Sequence, residues 1–133
     1  MNLPPRPPFD VRPLFARERG ALLEVLRGLP PEDWRRPTVC PGWNVKAVAL
    51  HILDGQLGWL SRDRDGDSTG LLSATGGYRS FVDALNRKNQ AWVDGAFGLS
   101  PRIICDLLAW AGSQVEAVHA GLDLLADSGT LSW

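Results

Sequence analysis

Two histidines, His51 and His119, are the side chains in this 133-residue chain best suited to holding a metal or moving a proton at neutral pH. His51 follows the stretch RRPTVCPGWNVKAVAL, a proline- and glycine-bearing loop that turns into a helical pattern. On that helix it falls at the edge of the apolar stripe, where a histidine is either a half-buried packing residue or a ligand. Both readings stand on periodicity alone. His119 has Glu116 three positions before it, the spacing of a helix-surface pair and too little for a chelate. Four polar residues fall on the apolar stripes, one per helix: Glu18, Gln56, Asn89 and Gln114. A buried carboxylate needs a cation, a metal or donors around it. Either these side chains reach solvent at bundle edges, or they line a polar pocket inside the bundle with Trp59 and Trp92 as walls.

The cysteines give less. Cys40 and Cys105 make no zinc spacing and read as two reduced thiols of a cytoplasmic protein. Cys40 precedes Pro41 and Gly42 near a helix start, which can activate a thiol; the plainer expectation is a small buried residue anchoring the loop. SRDRDGDSTG holds a D-x-D-x-D run, but its glycine and distal acid miss the EF-hand positions.

The elements that must carry these residues are helical. A first helix is expected after Asp10, with Pro13 in its first turn and Gly28 with the following prolines ending it. Its stripe is Val11, Leu14, Phe15, Leu22, Val25, Leu26 and Leu29. A second is capped by Asn44, with Trp43 and Val48 spaced as a hydrophobic staple, and a solvated loop follows Leu60. A third spans about Tyr78 to Ala96. A fourth opens at Ser100-Pro101 and runs to about Ala126, its stripe including Ile103, Ile104, Leu107, Leu108, Ala111, Val115, Val118, Leu122 and Leu125. The expectation is a single all-α domain over residues 1–133, an antiparallel helical bundle in which short loops make sequential helices neighbours, except around the Asp-rich loop.

Composition excludes other classes. Fourteen basic against fifteen acidic residues leave a net charge of −1 and no basic face, so nucleic acid is a poor partner. No apolar run is long enough to span a membrane, and the proline-rich start lacks the apolar segment of a secretory signal. Six tryptophans suit a helical core or the walls of a small-molecule site.

The segment LPPEDWRRPTVCPGWNVKAVALHILDGQ resembles the entry segment of the mycothiol-dependent maleylpyruvate isomerase N-terminal domain family, within the DinB-like superfamily. The matching residues are Pro31, Glu32, Asp33, Trp34, Thr38, Cys40, Pro41, Gly42, Trp43, Val45 and His51. FVDALNRKNQAWV, LSPRIICDLL and the closing SGTLSW are similar to later parts of the same family. The resemblance implies a DinB-like antiparallel helical bundle. It implies His51 as a ligand of a divalent metal, zinc or nickel, and chemistry with mycothiol or another low-molecular-weight thiol on a small-molecule substrate. It also implies a last bundle helix with further ligands, which this sequence does not carry. From that follow two expectations: apolar stripe left open, closed by homo-oligomerisation, and either an isomerase or transferase domain in its full form or a non-catalytic binding or dimerisation module.

Overall fold

The computed structural model describes residues 4, 6, 7, 9–72 and 76–126. Among these there are four α-helices, α1 (Phe15–Gly28), α2 (Val45–Trp59), α3 (Gly77–Ala96) and α4 (Pro101–Ala120), and no strand. The SGTLSW motif lies outside the described residues.

Each helix start has a local chemical cause. The Asn44 side chain accepts from the Ala47 N–H at 2.9 Å, and Ser100 accepts from the Ile103 N–H ahead of Pro101. Replacing Asn44 by Ala is expected to cost about 1 kcal/mol, read as a lower urea midpoint at unchanged slope. The first helix starts later than its sequence pattern suggests. Asp10 accepts from the Arg12 N–H at 3.0 Å, and a 3₁₀ turn, Arg12–Leu14, precedes α1. Val11 and Leu14 are accordingly exposed. The fourth helix ends at Ala120, short of Ala126, because Asp123 takes the Leu125 N–H at 2.9 Å into a local turn that competes with helix. Leu122 and Leu125 are therefore exposed rather than part of the stripe. Arg12 donates to the Leu122 carbonyl at 2.9 Å, tying the first turn to the chain just past α4. The start of the expected Asp-rich loop is also ordered. Leu60–Arg64 continues α2 as a wide π-type turn, with the Asp65 N–H reaching back to Leu60 O at 3.1 Å.

Packing follows the row α1–α4–α2–α3. Helix α4 packs along both α1 and α2, and α3 packs on the far side of α2. This reverses the expected neighbours: α2 and α3 pack together across the Asp-rich loop, while α4 turns from α3 to α1 and α2. The connection from α1 to α2 is long and carries its own buried residue, Trp34, in the turn Asp33–Arg35. Side-chain pairs give the directions. Phe15 meets His119 and Arg27 faces Asp106, so α1 and α4 are antiparallel; Gln56 faces Gly112 and Trp59 meets His119, so α2 and α4 are parallel.

The core joins Leu23 and Leu26 of α1, Leu50 and Leu53 of α2, Val93 of α3 and Ile104, Leu108 and Ala111 of α4. Lying mid-row, α2 buries residues on more than one side, including Ala47 and Ala49. Ile103, by contrast, is 47% exposed and Val25 61%, so both fall off the inward faces that their stripes assigned them.

Candidate functional site

The loop before α2 is built to aim Trp43. Cys40-Pro41-Gly42-Trp43 form a tight turn closed by Trp43 N–H to Cys40 O at 3.0 Å, with Gly42 at φ +80°. Proline at the second position and a left-handed residue at the third make this a type II turn, which glycine alone enters without strain. The Thr38 hydroxyl donates to Trp43 O at 2.8 Å and accepts from the Cys40 N–H at 3.1 Å, bracing both sides. Cys40 itself is exposed. The expected anchoring role for this thiol is thus overturned: the turn rests on Thr38 and Trp43, and its bend carries the cysteine outward.

Trp43 lies with its ring 5.0 Å from that of His51 and donates Nε1–H to Gln90 Oε1 of α3 at 2.7 Å. The His51 ring is thereby held between the loop and the α2/α3 seam. Its Nδ1 is buried and has no hydrogen-bond partner among the described residues. One turn along α2, Asp54 is half-buried; burial raises its carboxyl above the ordinary range, and the charges of Lys88 and His51 pull it back down. Lys88 is held by the Gly70 carbonyl at 2.8 Å. Sequence reading passed over Asp54, although three positions from His51 is the spacing that puts two helical side chains on one face.

An acid whose pKa is higher in the fold than in the unfolded chain favours the fold while protonated. That contribution is present at acid pH and is lost as pH rises through the carboxylate range to the raised folded value. Asp54→Asn is therefore expected to raise Tm modestly at neutral pH, with the gain vanishing in acid. Equal gains at both pH values would remove burial as the cause.

The polar pocket expected along the bundle divides into separate places. Glu18 is exposed, so it is no pocket wall; the inward face of α1 is set by Phe15, Arg19, Leu22, Leu23 and Leu26, and Glu18 falls outside it. The Arg19 guanidinium pairs with Glu116 of α4. Its stem crosses Gly112, where a Cβ would lie 2.7 Å from Arg19 Cδ, so the glycine makes room for the arginine. Gln56 comes near the same spot, its Oε1 buried without a partner among the described residues. Beside them Trp59 stacks on His119 at 4.3 Å, and Phe15 meets the same ring edge-on at 5.1 Å. His119 Nδ1 lies 2.8 Å from Val115 O, and a carbonyl only accepts, so this nitrogen carries the proton. Gln56 and Trp59 thus belong to the α1/α4/α2 seam with His119. Asn89 and Trp92 are half-buried on α3, which packs on α2.

A metal needs more donors than this. Among the described residues no three of His, Cys, Asp and Glu converge. His51 with Asp54 falls short of the three protein ligands of a catalytic zinc.

The family model for the mycothiol maleylpyruvate isomerase N-terminal domain matches residues 15–132, nearly the whole chain. The chain belongs to that family. Comparison with curated proteins and with solved structures gave no match. In this chain the Cys-Pro-Gly-Trp turn, Asn44 cap and His51 form one continuous device: turn, cap, then the imidazole about two turns into α2. No described helix is long and apolar enough to cross a membrane.

Proposed function

We propose that this chain is a domain for thiol-dependent isomerase or transferase chemistry of the maleylpyruvate isomerase type, in which His51 supplies one ligand to a divalent metal such as zinc or nickel. One observation carries the reading: a buried imidazole nitrogen on α2 without a partner among the described residues, beside a Trp43 ring that the preceding loop's hydrogen bonds fix in place. Burying an imidazole nitrogen unbonded is costly, and a ligand would satisfy it. The remaining donors would come from outside the described residues. The family's name supplies the thiol class, mycothiol or a related low-molecular-weight thiol, and a small-molecule substrate follows from it. A second reading, a binding module without catalysis, is favoured by the shortage of ligating groups around His51.

Metal per chain, measured by mass spectrometry on the purified protein after zinc or nickel loading and desalting, separates the two. Near one equivalent, lost in His51→Ala while Cys40→Ala keeps it, supports the metal reading. Equal metal in both, or none in either, removes His51 as a ligand and leaves the binding module.

A further inference from the structure

A cleft of about 430 Å³ opens between the last turns of α1, the Trp34 turn and the first two turns of α4. None of its lining residues belongs to α2 or α3, so it is separate from the His51 seam. Its volume is that of a small-molecule pocket. The floor is apolar and fixed: Leu26, Trp34 and Cys105 are each at least nine-tenths buried yet line the cleft. Arg27, Arg102 and Asp106 line it too and keep solvent-exposed side chains.

The charges at the mouth do not cancel. Asp106 lies 3.6 Å from Arg27 Nη2 and 4.0 Å from Arg102 Nε, too far for either contact to be a hydrogen bond. Among the described residues, one carboxylate thus serves two guanidiniums loosely, leaving an excess positive charge and N–H donors for a ligand. The cleft lies over the first turns of α4, where the helix dipole adds to the same sign. Burial raises the Cys105 thiol's pKa, which favours its protonated form over the nucleophilic thiolate.

We propose that this cleft is a second binding site, for a small aromatic monocarboxylate whose ring lies on the Leu26–Trp34–Cys105 floor and whose carboxylate meets Arg27 and Arg102. A planar ring suits the apolar floor that Trp34 helps to form. A carboxylate matches the forked guanidinium donors in geometry and charge, whereas a cation would meet two positive groups. A dianion would place its second charge against Asp106 or the apolar floor, so one carboxylate is favoured. This site is independent of the metal reading for His51.

The test is a titration of the ¹⁵N-labelled full chain with 1-naphthoate, followed by amide and indole chemical shifts. Saturable shifts centred on the Trp34 indole N–H and the Cys105 and Arg102 amides are expected. The double variant Arg27→Gln/Arg102→Gln should weaken binding about tenfold. Neutral 1-naphthamide should bind the native protein about tenfold more weakly than the acid, and Asp106→Asn should tighten the acid by releasing both guanidiniums. His51→Ala should leave the titration unchanged. Equal binding of acid and amide, shifts centred elsewhere, loss of binding in His51→Ala, or no shift at the solubility limit of naphthoate would each overturn the proposal.

Discussion

Ile104→Ala is expected to cost about 3 kcal/mol of unfolding free energy, while Ile103→Ala, one residue away, should cost less than about 1 kcal/mol. The two side chains are identical and equally apolar, and both fall on the stripe that periodicity draws along α4. Rotation of about 100° per residue separates them. Ile104 has no exposed surface and belongs to the core with Leu108 and Ala111, whereas Ile103 is 47% exposed. Truncating Ile104 leaves a cavity that its neighbours fill only in part, and the cavity adds to the lost transfer energy. Truncating Ile103 removes a few methyl groups already in contact with water. Chemical denaturation of both variants reads the difference directly, and for a domain of this size the larger loss lowers Tm by roughly 10 °C. Equal losses would mean that α4 is rotated from the orientation described.

Trp34→Ala should be at least as damaging, at about 3–5 kcal/mol, although Trp34 lies in no α-helix. It is 3% exposed and sits in the short turn Asp33–Arg35, midway along the connection from α1 to α2. Its indole is the buried group that fastens this connection to the bundle, the task that sequence reading gave to Cys40. Trp110→Ala is the matched control, since Trp110 is 49% exposed and should cost less than half as much. Trp34→Phe should recover much of the loss by restoring apolar volume. If Trp34→Ala and Trp110→Ala cost the same, the Trp34 turn does not pack as described.

The features legible in the sequence were those with short-range causes. Asn44 and Ser100-Pro101 mark helix starts because a side-chain oxygen bonds an N–H three residues ahead, an interaction complete within one turn. The Cys-Pro-Gly-Trp turn and the position of His51 on α2 were legible for the same reason. What escaped depends on partners distant in sequence. Arg19, a charged residue, reads as surface, yet its aliphatic stem covers Gly112 and its head pairs with Glu116, nearly a hundred residues on. Glu18 reads as inward because it falls between Phe15 and Leu22 on the stripe, yet it is exposed, as is Val25 seven residues on at 61%. Loop length alone suggests other neighbours; the apolar faces of α1, α2 and α4 set the order. His119 looked like half of a surface pair with Glu116; its ring instead lies between Trp59 and Phe15, from two other helices.

The placement of α4 in the row also sets a schedule for synthesis. Helices α1 and α2 are translated first but meet chiefly through α4, which follows them and α3 in the chain. While residues are added at about 5–20 per second, the nascent chain can pair α2 with α3 early, as a local hairpin across the Asp-rich turn. The inward faces of α1 and α2, with Leu23, Leu26, Leu50 and Leu53, have no shared cover until Pro101–Ala120 arrives. For those seconds the growing polypeptide shows chaperones an uncovered apolar groove. A stall before Pro101 would leave a product that is sticky rather than merely shorter.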